Sequence, residues 1–169
     1  SFSQVTHDTA EALYTQVADT IKQTLSVSML DLFCGVGGFS IMAAQALKWG
    51  HGVELSQQAI DCAGFACTEN GIENLVFEST DVERFLETYD RATPDVILVN
   101  PPRRGLSPSI IEQVIEVSPK RILYSSCNPA TLLRDVKMLS QRYKVKDLRP
   151  YDMFPLTEHL EVLAHLEKN

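Results

Sequence analysis

DLFCGVGGFS, residues 31–40, runs from an apolar, strand-like segment into a glycine-rich turn and out into a helical pattern. Gly35, Gly37 and Gly38 let the backbone approach a ligand closely and adopt conformations closed to bulkier residues. Strand, glycine turn and helix in that order open a nucleotide-binding βαβ unit, for which a dinucleotide fold is the competing reading. The spacing departs from the dinucleotide fingerprint G-x-G-x-x-G. Counted from Gly35 the third glycine would fall at Ser40, and counted from Gly37 the second would fall at Phe39.

Outward from this turn the same grammar repeats. Hydrophobic periodicity predicts helices over 6–25, 39–47, 57–70 (stopped by Gly71), 82–88, 109–117 and 131–139. Short apolar runs predict strands at 29–33, 52–55, 75–77, 96–99 and 122–124. Two last β-like runs, 144–148 and 161–166, have no helical pattern between them. The expected fold is α/β, a doubly wound, mostly parallel sheet with an antiparallel C-terminal hairpin.

Composition sets outer bounds. The 169 residues, 44% apolar, suffice for one domain, 1–169, with an ordinary core. Four cysteines without C-x-x-C pairing suggest reduced thiols, with neither a disulfide framework nor a metal site. No apolar run approaches the roughly 20 residues that span a bilayer, and the first residues carry no leader pattern, so no membrane partner and a cytoplasmic, monomeric protein are expected. A net charge of -7 leaves phosphate capture to local basic patches or to sequence outside this stretch. The local candidates are Arg103 with Arg104, and the run 137–149, although a charge cluster is usually a solvated face.

Chemistry-bearing residues recur where strands end. Glu54, in HGVELS, closes the second strand and can accept both hydroxyls of a ribose. Asp81, after the third, can accept from an adenine amine or cap the next helix, and the two roles are compatible. In DVILVNPPRRG, residues 95–105, two prolines fix a rigid exit that holds Asn100 at the carboxyl edge of the sheet. Cys127, in YSSCNP, leaves the next strand just before a helix whose N-terminal amides favour a thiolate. Cys62 and Cys67 read as packing residues within a helix, and Cys34 as part of the turn.

These motifs carry a family resemblance. SFSQV, DLFCGVGGF, GVELS, VNPPRRGL, YSSCNP and FPLTEHLEVL, in that order along nearly the whole chain, resemble the catalytic domain of the RNA 5-methyluridine methyltransferases. The resemblance implies a Rossmann-like class I methyltransferase sheet and S-adenosylmethionine as cofactor. By it, Gln4, Phe33, Glu54 and Asn100 contact the cofactor, with Gly35, Gly37 and Asp81 lining the same edge. Cys127 is then the nucleophile, Glu161 the general base and Arg103 a support for the active site; Glu161 lies near Cys127 if the final strand returns beside the fifth. It also implies an N-terminal RNA-binding portion that this sequence lacks, needed for RNA capture. Asn100, where tRNA enzymes of the family usually carry Asp, points to ribosomal RNA rather than tRNA as substrate and to the 23S uracil-747 branch. Competing readings are a tRNA uridine methyltransferase, an adenine-N6-type amine methyltransferase, which would leave Cys127 and Glu161 without a role, and a nucleotide-binding module without catalysis. Glu158 or His159 could replace Glu161 as base.

Overall fold

β1 (Ser28–Leu32) is buried at every position, as expected of a central strand covered on both faces. The computed structural model describes residues 2–152 and 160–169, with side chains from residue 9 onward. Among these, α1 (Phe2–Gln23) precedes β1, and then come α2 (Gly38–Ala43), β2 (Trp49–Glu54), α3 (Gln57–Glu69), β3 (Leu75–Ser79) and α4 (Val82–Glu87). The second half is β4 (Val96–Val99), α5 (Pro108–Val117), β5 (Arg121–Ser126), α6 (Pro129–Leu139), β6 (Tyr143–Asp152) and β7 (Leu160–Lys168).

The described strands form one sheet in the order β3-β2-β1-β4-β5-β7-β6. The first five are mutually parallel, whereas β7 is antiparallel to both β5 and β6. The expected doubly wound sheet with an antiparallel hairpin is therefore present. The hairpin's second strand returns beside β5, as the assignment of Glu161 requires, and leaves β6 as the outer edge. Strand order reverses between β1 and β4, and open α/β sheets bind ligands at the carboxyl ends of such strands.

Alternation along the strands splits the core in two. Leu30, Leu32, Ile97, Val99, Ile122 and Tyr124 pack beneath α4, α5 and α6. Met29, Val96, Leu98, Leu123 and Leu163 pack beneath α1 and α2, against Leu13, Val17, Ile21 and Phe39.

Several boundaries differ from expectation: α1 covers Phe2–Gln23 rather than 6–25, β6 covers Tyr143–Asp152 rather than 144–148, and β2 and α2 differ as follows. β2 starts at Trp49 rather than residue 52, because Gly50 and Gly52 are strand residues. A Cβ at Gly50 would lie 2.6 Å from Leu75 Cδ2, and one at Gly52 2.4 Å from Phe77 Cδ1, so the glycines make room for side chains of β3. The helix expected over 39–47 is α2 followed by a short 3-10 turn, Ala44–Ala46. No helix among the described residues is long and apolar enough to cross a membrane.

Candidate active site

Each of the five parallel strands delivers one sequence-predicted motif to its carboxyl end. Phe33, Gly35 and Gly37 follow β1, Glu54 ends β2, Asp81 follows β3, Asn100 follows β4 and Cys127 follows β5. The Asn100 N–H donates to the Leu32 carbonyl (3.2 Å), tying the β4 exit to the turn after β1.

The glycine turn is built mainly from backbone. Phe33, Gly35 and Gly37 all have positive φ (61°, 54° and 77°). The Cys34 N–H donates to Val53 O, and the Gly37 N–H to Cys34 O. Glu54 braces the turn from the side: Oε2 accepts from the Gly35 N–H (3.2 Å) and Oε1 from the Ser56 N–H (3.0 Å). Beneath it lies Asp31, fully buried. Its Oδ2 accepts from the Ser40 hydroxyl (2.6 Å), while Oδ1 has no partner among the described residues. Burial, opposed by the Ser40 hydrogen bond and aided by the Glu54 charge, pushes the Asp31 carboxyl up to about 7.

The β4 and β5 exits are held differently, by side chains reaching across about thirty residues of chain. Asp135, fully buried on α6, accepts from the Leu106 N–H (2.8 Å) and the Tyr124 hydroxyl (2.7 Å) through Oδ2, and from Arg134 Nε (2.8 Å) through Oδ1. Arg134 Nη2 donates to the carbonyls of Arg104 and Leu106, both at 3.0 Å. The Arg103 carbonyl accepts from Asn128 Nδ2 (3.0 Å) and Thr131 Oγ1 (3.2 Å). Gly105 (φ 74°) leaves no room for a side chain, since a Cβ would sit 2.5 Å from Asp135 Oδ2. The loop carrying Arg103 is thus stapled to the helix that starts beside Cys127.

Cys127, partly exposed, sits in a tight turn. The Asn128 N–H donates to Ser126 Oγ, which donates in turn to the Asn128 carbonyl, both at 3.1 Å. Asn128 caps α6, accepting from the Ala130 and Thr131 N–H groups. On the neighbouring antiparallel strand Ser126, the last residue of β5, pairs with Val162, the residue after Glu161. Ser125 Oγ donates to Glu161 Oε1 at 2.5 Å. Burial pushes the Glu161 carboxyl above its ordinary value, and the Ser125 hydrogen bond opposes the rise.

Asp81 caps α4, accepting from the Arg84 N–H (3.1 Å), which is one of its two expected roles. Gln4 lies within α1, and its side chain falls outside the described residues, as do Glu158 and His159. Part of the basic run 137–149 is matched within the sheet, Lys146 with Glu167 and Arg149 with Asp147. Sequence reasoning missed Asp31, Ser125 and Asp135. A signal existed for Asp135: with Leu132 and Leu139 it occupies i, i+3 and i+7 of α6, a charge on the apolar stripe.

A profile of the family described as tRNA (Uracil-5-)-methyltransferase matches residues 1–169. The 23S rRNA (uracil(747)-C(5))-methyltransferase RlmC of Xenorhabdus nematophila is 40% identical over 167 residues, covering 98% of this chain and 44% of the relative. The same-named protein of Shewanella baltica is 40% identical over 172 residues, 100% of this chain and 43% of the relative. The chain therefore spans less than half the length of these curated relatives. Among solved structures, the Pyrococcus abyssi tRNA (uracil-54, C5)-methyltransferase in complex with S-adenosyl-L-homocysteine superposes with a TM-score of 0.75 at 31% identity, over 89% of this chain and 38% of that one. The N-methyltransferase NodS of Bradyrhizobium japonicum, at 15% identity and a TM-score of 0.75, shares the fold over 95% of this chain and 97% of its own.

Proposed function

From the premise that this chain belongs to the tRNA (uracil-5-)-methyltransferase family, we propose that it is the catalytic unit of an S-adenosylmethionine-dependent enzyme methylating uridine C5 in RNA, 23S ribosomal RNA in particular. The observation that carries the reading is the antiparallel pairing of β5, which ends one residue before Cys127, with β7, which carries Glu161: Ser126 pairs with Val162, and Ser125 Oγ donates to Glu161 Oε1.

The glycine-turn side fits the cofactor. Nothing lies within 4 Å of a Cβ built at Gly35, which leaves the turn open to a ligand. The unpartnered, buried Asp31 Oδ1 suits a cationic group, and Glu54 suits a nucleoside, with Asp81 after β3 and Asn100 after β4 at the same carboxyl edge. Phe33, Gly35 and Gly37 supply the wall, and Gln4 is assigned to it on the family resemblance. S-adenosylmethionine supplies an electrophilic sulfonium methyl group, which C5 of the activated uracil accepts.

The protein's own residues provide the activation. Uracil C5 is a poor nucleophile until the Cys127 thiolate adds to C6, forming the Sγ–C6 bond and shifting the ring π electrons toward C5 and O4. After methylation Glu161 takes the C5 proton. The C–H pair becomes the C5–C6 double bond, the Sγ–C6 bond breaks and the thiolate is released. Arg103, on the stapled loop, borders the uracil, which must leave its stack to present both faces. RNA capture is assigned to sequence of the kind the longer relatives carry, because a net charge of -7 gives this stretch little general affinity for phosphate.

Mass spectrometry of nucleosides from 23S and transfer RNA of a gene-deletion strain tests the reading. Loss of one 5-methyluridine from 23S RNA is expected. Loss from tRNA alone would move the substrate, and loss of a methylated adenine would overturn the C5 chemistry.

A further inference from the structure

Ser125 and Ser126 end β5, a strand otherwise built of buried apolar side chains, and both are themselves buried. A buried hydroxyl costs stability unless it is hydrogen-bonded, so each calls for a partner. Ser126 spends its hydroxyl on the Asn128 turn that holds Cys127. Ser125, fully buried, donates instead across the strand pair to Glu161 Oε1. At 2.5 Å this is the short geometry of a hydroxyl on a carboxylate, roughly twice as strong as a neutral pair.

We propose that Ser125 is the positioning residue of the base: its hydroxyl holds one oxygen of Glu161 in place, so that the other receives the C5 proton. The proposal rests on Glu161 being that base. It accounts for the serine on geometric grounds. β5 and β7 are fixed in register by their backbone ladder, but a glutamate side chain keeps rotatable bonds that the ladder does not restrain. The buried Ser125 hydroxyl, two residues before Cys127, restrains them. It also opposes the effect of burial, which pushes the carboxyl up.

Other groups face Glu161 as well. Tyr14 of α1 packs over Gly38 and edge-on to Phe39, and its phenol is pushed up by burial and then by the charges of Asp31 and Glu161. From β6, Tyr151 is the register partner of Glu161, with the Arg149–Asp147 ion pair further along the same strand. Of the groups named, Ser125 donates the hydrogen bond recorded at the carboxylate.

The step affected is proton removal from the methylated adduct, in which the proton passes to Glu161 and the C–H electron pair expels the thiolate. The test follows resolution of the denaturant-resistant protein–RNA adduct in single turnovers from pH 6 to 9. It uses the natural full-length protein and RNA lacking the methyl group. Ser125→Ala is expected to slow resolution about tenfold across this range, because the carboxylate is no longer held, with the largest loss at the acid end, because the pH midpoint moves up. Ser125→Thr, which keeps the hydroxyl, is expected to restore the wild-type midpoint. S-adenosylhomocysteine binding by calorimetry checks that each variant is folded. Wild-type resolution in Ser125→Ala at every pH, or a loss that Ser125→Thr does not restore although S-adenosylhomocysteine still binds, overturns the role of Ser125. Glu161→Gln is the control: a persistent adduct at all pH values supports the base, and its absence overturns Glu161 and with it this proposal.

Discussion

The two halves of the sheet hold their functional groups by different means. On the β1-β2-β3 side the turn at 33–37 is shaped by backbone conformation, with three positive φ angles and amide hydrogen bonds to carbonyls and to Glu54. On the β4-β5-β7 side the groups are held by side chains distant in sequence: Asp135 on Leu106, Asn128 on Arg103, and Ser125 on Glu161. The first half is pre-formed by local geometry. The second depends on a polar network, in which breaking one member exposes several others.

The comparison is tested most severely at Cys127. Cys127→Ala is expected to abolish both methyl transfer and the covalent RNA adduct, because the other cysteines lie elsewhere: Cys34 and Cys67 are buried, and Cys62 is on α3. S-adenosylhomocysteine affinity is expected to stay within about twofold, since the glycine-turn half is untouched. Residual adduct on denaturing gels would remove Cys127 from the mechanism. A large loss of cofactor affinity would show that the two halves are not separable.

Asp135→Asn comes next. The change removes the charge that Arg134 faces in a fully buried position and makes the Oδ sites partly donors, so about 3 kcal/mol of folding stability is expected to be lost. Adduct formation should fall more than cofactor binding, because the loop over 103–106 loosens. Chemical denaturation, paired with calorimetry, separates the two effects. Equal losses in both would mean that the network serves the whole fold rather than the β4 and β5 exits.

What could be read from the sequence follows the same division. The glycine turn, Glu54 and the strand ends were legible because their signals are local: spacing, period and residues with special φ angles. The early start of β2 was hidden, since Gly50 and Gly52 are poor strand formers whose purpose, room for Leu75 and Phe77, lies on another strand. The return of the final strand beside the fifth was a condition for Glu161 to approach Cys127, and the sheet order meets it. It pairs Val162, the residue after Glu161, with Ser126, although no local pattern encodes which edge a final hairpin will join. Ser125 and Asp135 act over 36 and 29 residues of chain, so their roles appear only after the sheet is assembled.

Asp31 sharpens the comparison through pH. Its folded value near 7 lies above the ordinary 3.8, so the folded state binds the proton more tightly than the unfolded chain. The associated stability is present below about pH 4 and is lost as pH rises through about 7, by up to about 4 kcal/mol. Asp31→Asn is expected to flatten that slope and make the ligand-free protein more stable at pH 8, while weakening cofactor binding. Denaturation midpoints at pH 5 and pH 8 measure the first effect. The same slope in Asp31→Asn would assign it to another group.

Glu54 carries the smallest expected effect and the finest test of the backbone-built half. Its carboxylate is engaged by the Gly35 and Ser56 amides, but a carboxylate has about four acceptor positions, so capacity remains for ribose hydroxyls. Glu54→Ala is therefore expected to weaken cofactor binding by about 1.5 to 3 kcal/mol, the range for hydrogen bonds to a charged group. The fold should survive, because both freed amides belong to turns at the partly exposed end of β2, where water can take the place of the carboxylate. Glu54→Gln separates bracing from binding. The amide keeps one oxygen, able to serve one of the two backbone donors, but loses the charge, so an affinity between wild type and Glu54→Ala is expected. Wild-type affinity in Glu54→Gln with loss in Glu54→Ala would make Glu54 a brace for the turn, acting on the ligand only through Gly35. Unchanged affinity in both, with intact secondary structure, would put the nucleoside elsewhere on the sheet edge and leave the turn to hold itself.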